Sequence, residues 1–241
     1  MEKDNTKFNA LLLGYGEVGK AVYQLFKDKH NVDISSLDFE QLTRPIDNNQ
    51  ILLVAIPYND DFISTVKKYQ GMINVDSTII FSTVPIGTSK SLNAVHSPVE
   101  GKHPNLVESL RVMHRWLGGY NKIASQFFWN AGIKVTQVPK AAFTEFLKLR
   151  STSLYGVNIE FARYTKTVVD DLKMPFDLVK DFDKDYNELY ATMNMKQFQR
   201  YILDAPEGDI GGHCVVPNAI LLDEQYPNIF LKEVYKKKSK K

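Results

Sequence analysis

Cysteine is nearly absent: 241 residues hold one thiol, Cys214. A single thiol excludes an internal disulfide framework and any zinc site built from several cysteines. Histidine is scarce too, and His30, His96, His103, His114 and His213 show no HExxH spacing, so no metal is expected. No apolar run approaches the roughly 18 residues of a membrane span. The N-terminus lacks a basic segment followed by a long apolar stretch, so no secretory leader is expected and the chain reads as cytoplasmic. An excess of one charge is also missing, since 30 Lys and Arg face 28 Asp and Glu. The local exception is the end, KEVYKKKSKK, read as running into a frayed, solvated tail. Nucleic acid is not an expected partner, though contact with it or with an acidic surface is the other reading of this lysine-rich end.

What is present is a core-forming composition, 44% hydrophobic and 24% charged. It suits one large domain, or a mid-sized domain with an appendage. The stretch NALLLGYGEVGKAVYQLF opens with a short apolar run at 10–13, of the kind that forms a buried parallel strand. Gly14, Gly16 and Gly19 follow as GxGxxG, then Ala21, Val22, Leu25 and Phe26 at helical spacing. This order suits a dinucleotide. The first glycine makes the tight turn, the second admits a pyrophosphate to the backbone, and the third lets helix lie on strand. A plain glycine turn between strand and helix is the other reading of the loop. A second strand is expected over NVDISSL, and Asp38 follows it, nineteen residues after Gly19. A carboxylate there accepts from ribose hydroxyls and favours NAD; Arg44, close by, is the residue that would suit NADP.

QILLVAIPYND gives a strand over 51–56 ended by Pro57, and DDFISTVKKY a helix. STIIFSTVPIGT, NAVHSP, LRVMHRWLGG and GIKVTQVP give further strands, the last two separated by the helical NKIASQFFWNA. Short apolar runs alternating with helices predict a parallel, doubly wound α/β sheet. Ligands of such sheets lie beyond the carboxyl ends of the strands, which gathers residues 14–19, 57–58, 82–85 and 97–100. His96 and His114 fall on predicted strands and read as satisfied core or edge histidines.

From Pro139 to about 174 the apolar positions Ala142, Phe146, Leu149, Leu154, Val157, Phe161 and Val168 predict one long helix, with Gly156 a soft spot inside it. Glu145 and Lys148 share a face of that helix, which by spacing alone reads as a surface ion pair. Residues 175–205 also read as helical, with Asp177, Asp181, Asp183 and Asp185 toward solvent. DAPEGDIGGHC is a loop of turn formers and NAILLDEQY a short helix. Cys214, in that glycine-flanked turn, is either a small packed hydrophobe or a nucleophile.

GGHC followed closely by a proline resembles the cysteine motif of the UDP-glucose/GDP-mannose dehydrogenase family, nearest the branch that oxidises UDP-N-acetylmannosamine. GYGEVG, STVPIGT, SPVEG and EFLKL agree with it in order, and Arg200, fourteen residues before Cys214, matches an arginine of that branch. The resemblance covers nearly all of residues 8–222, and STVPIGT with GGHC is its specific part. It implies NAD-dependent oxidation of a sugar C6 alcohol to a carboxylate, through a thiohemiacetal and thioester on the cysteine. By that resemblance Cys214 is the nucleophile, Lys148 stabilises the developing oxyanion and Thr83 holds the catalytic water near the nicotinamide. Glu100 is placed like the family's acid after the sixth strand. Cofactor contacts fall on Gly14, Tyr15, Gly16, Glu17, Val18, Gly19, Asp38, Pro57 and Ser82. Substrate contacts fall on Arg200, Gly211, Gly212, His213 and Asn218. The expected partners are a sugar or sugar-nucleotide substrate and a second copy of the chain.

Three departures stand out. The family's aspartate four residues after its cysteine is Asn218 here, and its asparagine four residues after its lysine is Thr152. The family's third, nucleotide-binding domain is not expected within these 241 residues, about twenty of which follow the cysteine motif. The expected architecture is a Rossmann-type NAD-binding domain over 1–139, a long helix with a small all-α domain carrying the cysteine and dimer contacts over 140–235, and a basic tail over 236–241. Two rival readings remain: a non-catalytic nucleotide-binding regulator that keeps the fold, and a two-electron dehydrogenase of a small hydroxy acid.

The ribose assignment makes a direct prediction. Asp38 accepts from free hydroxyls and repels a 2′-phosphate, so NAD binds more tightly than NADP in calorimetric titration. Asp38→Ala weakens NAD selectively; a tighter NADP complex in the unaltered chain removes the assignment.

Overall fold

The computed structural model describes residues 6–35, 50–73, 75–101, 105–210 and 214–236. It divides into two units, Met1–Lys148 and Leu149–Lys241.

The first unit is built on seven strands, β1 (Asn9–Leu13), β2 (Asn31–Ser35), β3 (Ile51–Val54), β4 (Ser77–Ile80), β5 (Val95–His96), β6 (Arg115–Gly118) and β7 (Val135–Val138), in the order β2-β1-β3-β4-β5-β6-β7. Its helices are α1 (Glu17–Phe26), α2 (Phe62–Ile73), α3 (Thr88–Ser91), α4 (Leu106–Val112) and α5 (Lys122–Asn130). The central strands are apolar without alternation because both sheet faces are covered. Ala10, Leu12, Leu53 and Ile79 pack with Val22, Phe26, Phe127 and Phe128 on one face. Leu11, Leu13, Leu52, Val54 and Ile80 pack with Phe62 and Val66 on the other. The chain starts at β1, adds β2 on one side and β3 on the other, so the order reverses at β1. A ligand crevice opens at such a reversal.

Two expectations about this unit need correction. The sheet is not wholly parallel: β6 runs antiparallel to β5, with His96 opposite Gly118. The connection after β5 lays its helix, α4, against α1 and re-enters the sheet at the end where β5 stopped. LRVMHRWLGG is also not one strand. Leu106 and Leu110, four apart, bury one face of α4, whereas Val112 is 85% exposed and only residues 115–118 join the sheet.

The long helix is present as α6 (Ala141–Asp171), and the division between the units falls within it. The second unit adds α7 (Asp177–Thr192), a 3₁₀ turn at Lys196–Phe198, α8 (Val215–Gln225) and α9 (Ile229–Tyr235). Helix therefore stops at Thr192 rather than running to 205, and Asn194 takes a positive φ of 54° at the break. Asp183 turns to Arg200, while Asp177, Asp181 and Asp185 stay exposed. Gly156 is a crossing point rather than a soft spot. A Cβ there would come within 2.7 Å of methyl groups of both Val215 and Val234, so its missing side chain lets α8 and α9 close on α6. Ile159, Ile210, Ala219 and Val234 form the small core around that crossing. α9 was not foreseen; Asn228 caps it by accepting from the Phe230 N–H at 3.0 Å, and Asp223 of α8 accepts from the Asn228 N–H and the Tyr235 hydroxyl. Among the described residues no helix is long and apolar enough to cross a membrane.

Candidate cofactor and active site

The glycine loop lies at the carboxyl end of β1. Gly14 has φ +97°, and its N–H donates to Ser35 O at 2.7 Å, closing the turn against β2. A Cβ at Gly14 would sit 2.6 Å from Ala55 O, and one at Gly19 would overlap the Gly14 carbonyl. Both positions therefore exclude a side chain: one for the turn, one for the seating of α1 on the strand. Gly16 differs, because a Cβ there meets nothing within 4 Å among the described residues. It is the N-cap of α1 and makes no side-chain cap, and the positive end of the helix that begins there suits an anionic group. Glu17 opens α1 and is exposed, Val18 packs on the core, and Tyr15 meets Tyr23 edge to face. Three glycines with these three environments are what a bound pyrophosphate requires, and a nicotinamide dinucleotide fits the loop on that ground. Asp38 and Arg44 lie outside the described residues.

The neighbouring strand ends carry the next residues. Pro57 and Tyr58 are exposed after β3, and Thr83 is half-buried after β4. Ser82 is buried, its hydroxyl pointing back to Val54 O at 3.5 Å. After β5 come Val99 and Glu100. Lys148 Nζ donates to Val99 O at 2.6 Å and lies 3.7 Å from Glu100 Oε1. The carboxylate of Glu145, three residues earlier on α6, is fully buried and not a surface partner. The Gly87 and Ser89 N–H groups donate to its Oε2 and Oε1 at 2.6 and 2.7 Å. Successive turns of one helix thus hold the loop after β4 and the loop after β5. Charge-assisted bonds of this kind are about twice as strong as neutral ones.

Two further groups complete this wall. His96, fully buried on β5, lies with Nδ1 2.9 Å from the Thr144 hydroxyl and Nε2 3.3 Å from Ser82 O. A neutral ring satisfies both by donating from Nε2 and accepting at Nδ1. Burial pushes its pKa down to about 3 against the help of the Ser82 carbonyl, and the charges of Lys148 and Arg115 push the same way. Arg115, missed in the sequence, is buried at the start of β6 and donates to Pro98 O. Burial lowers its pKa to about 10, opposed by the charge of Glu100. Only the antiparallel entry of β6 brings Arg115 to this end of the sheet, and an expected strand of the wrong length and direction hid it. His114 is exposed just before β6, 2.6 Å from the Thr136 hydroxyl, and is not on a strand.

In the second unit Cys214 is exposed and is the N-cap of α8; Gly211, Gly212 and His213 lie outside the described residues. Asn218, one turn into α8, is buried and donates from Nδ2 to Thr152 Oγ1 at 2.8 Å. The two departures noted in the sequence are therefore hydrogen-bonded to each other. Arg200 is held against α7, with its guanidinium 3.5 Å from the centre of the Tyr186 ring and Nη1 3.0 Å from Asp183 Oδ1. Among the described residues no cluster of three His, Cys, Asp or Glu could hold a metal ion.

No protein-family model matches the chain, and no curated protein does. Solved structures do. UDP-D-MAnNAc dehydrogenase from Pyrococcus horikoshii superposes with a TM-score of 0.77 at 14% identity, over 95% of this chain and 68% of that one. UDP-N-acetyl-mannosamine dehydrogenase from S. aureus gives 0.64 at 18%, over 95% and 67%. Mycobacterium tuberculosis 3-hydroxyisobutyrate dehydrogenase gives 0.67 at 10%, over 95% and 92%. The shared property is the fold, a Rossmann-type sheet followed by a long helix. The chain spans about two thirds of the length of the first two structures.

The buried His96 predicts a pH dependence. An unfolded imidazole takes a proton below its ordinary value of 6.5, whereas the folded ring resists until about 3. The stability due to the neutral ring is fully present above 6.5 and falls as pH drops toward about 3. In urea unfolding followed by tryptophan fluorescence, the unaltered chain should lose about 2 kcal/mol more between pH 7 and 5 than His96→Gln. Equal losses mean the ring is protonated in the folded chain.

Proposed function

We propose that this chain is an NAD-dependent oxidoreductase that oxidises an alcohol of a sugar or sugar nucleotide through Cys214. The observation that carries the reading is the glycine loop: Gly14 and Gly19 exclude a side chain, and at Gly16, the start of α1, a Cβ would meet none of the described residues within 4 Å. Lys148 of α6 and Glu100 after β5, 3.7 Å apart, supply the charged groups for proton transfer. NAD, when bound, accepts a hydride from the substrate carbon. Lys148 offsets the charge of the developing oxyanion. The Cys214 sulfur adds to the aldehyde carbon, the carbonyl π pair moves to oxygen, and the thiol proton ends there. Loss of a second hydride, for which a fresh NAD in place of the spent NADH would be the acceptor, together with loss of the hydroxyl proton, leaves a thioester. Water cleaves its C–S bond to give the acid and restore the thiol.

The last step lacks an obvious base. Asn218 is an amide bonded to Thr152, and both carboxylate oxygens of Glu145 accept from backbone N–H groups. Glu100, 3.7 Å from Lys148, is the carboxylate to which we assign the task. The Asn218–Thr152 bond also favours a second reading, in which the chain binds NAD without full turnover or stops after one hydride.

A panel of UDP-sugars and small hydroxy acids with NAD, followed by NADH absorbance and intact-mass spectrometry, separates these readings. One UDP-sugar should release NADH and leave oxidised substrate on the protein long enough to be weighed, and Cys214→Ser should abolish the adduct. NAD binding without NADH from any compound supports the regulator. A hydroxy acid oxidised equally by the unaltered chain and Cys214→Ser supports the two-electron dehydrogenase.

We also propose a homodimer through residues 140–205. α7 buries no residue, yet presents Leu178, Phe182 and Leu189 on its surface, as α6 does Phe161, Tyr164 and Val168. Monomers seldom leave so much apolar surface to water. Light scattering should give twice the mass of one chain; a monomer at micromolar concentration refutes the dimer.

A further inference from the structure

Between α5 and the edge strand β7 lies a cavity of about 690 Å³, a size ordinary for a small-molecule site. It exists because Ala124, Phe127 and Phe128 turn α5 inward over the core. Val135 and Gln137, two apart on one face of β7, are left half-covered beneath it. Strands β3, β4, β5 and β6 lie between it and the β1 glycine loop, so it is not part of the crevice described above.

Its walls and its charges ask for the same kind of molecule. Tyr120, Trp129, Ile133 and Val135 provide aromatic and aliphatic surface. Lys122 and Lys134 stand on the lining, no acidic residue does, and neither lysine has an ion-pair partner among the described residues. A bare pair of cations beside apolar walls is complementary to an anion with an apolar body. Trp129 adds a third demand. Its indole N–H is buried and finds no acceptor among the described residues, and a buried donor left unpaired is destabilising. An acceptor entering the cavity, with a small turn of the ring, would relieve that. We propose that this cavity binds a planar aromatic anion, its ring system against Tyr120 and Trp129 and its charged group between Lys122 and Lys134.

The test uses 1-anilinonaphthalene-8-sulfonate and its uncharged analogue N-phenyl-1-naphthylamine. The chain has two tryptophans, so Trp116→Phe leaves Trp129 as the sole energy donor. Titration should show saturable transfer from Trp129 to the sulfonate. The Lys122→Gln/Lys134→Gln pair should raise its dissociation constant by about tenfold, and Gln137→Glu, which places a like charge on the floor, should do the same. The uncharged analogue should bind more weakly and ignore all three changes. Equal binding of both dyes, or a sulfonate titration unmoved by the lysine changes, overturns the proposal. So does loss of dimer in Gln137→Glu by light scattering, which would give the β7 edge to a second copy of the chain. Circular dichroism on each variant confirms that the comparison is between folded proteins.

Discussion

At the root of the first unit two backbones come closer than side chains allow. Gly19, in the first turn of α1, lies against the carbonyl of Gly14, and Gly14 lies against that of Ala55. This approach sets how α1 meets β1, and through Val22 and Phe26 it sets the apolar layer on one face of the sheet. Gly16, between them, sits at the rim, where a Cβ would meet none of the described residues within 4 Å. Seating the helix and leaving a place for an anion thus fall to one short loop. A larger residue at either tight position would move the helix, the layer and the rim together.

The second organising element is the start of α6. Thr144, Glu145 and Lys148 lie within little more than one turn, and they reach His96, the backbone of Gly87 and Ser89, and the carbonyl of Val99. Loops that connect a short sheet to its helices have few internal hydrogen bonds, and a buried carboxylate that accepts two backbone N–H groups fixes them at two points. The helix therefore does for the strand-end loops what the glycines do for α1.

The sequence was most legible where the signal was local. The glycine loop, the buried strands at 10–13 and 51–56 and the long helix all follow from spacing alone, because each is dictated by residues a few positions apart. It was least legible where the outcome depended on distant partners. Nothing local says that β6 turns antiparallel, that Glu145 points inward to Gly87 and Ser89, or that Gly156 is crossed by two helices. Asn218 and Thr152 were each visible as departures from a resembled pattern. Their meeting across 66 positions of sequence was not, since a hydrogen bond between helices leaves no periodicity behind.

The antiparallel entry of β6 has a consequence for how such a rim is furnished. A parallel strand gives the crevice its last residue, and that residue leads straight into a loop free to vary. An antiparallel strand gives the crevice its first residue, Arg115, clamped behind by the ladder to β7 and ahead by the carbonyl of Pro98. Chemistry delivered this way is anchored rather than carried on a tether. It can be exchanged by a single replacement without lengthening any connection, but it cannot be swung aside to admit or release a ligand.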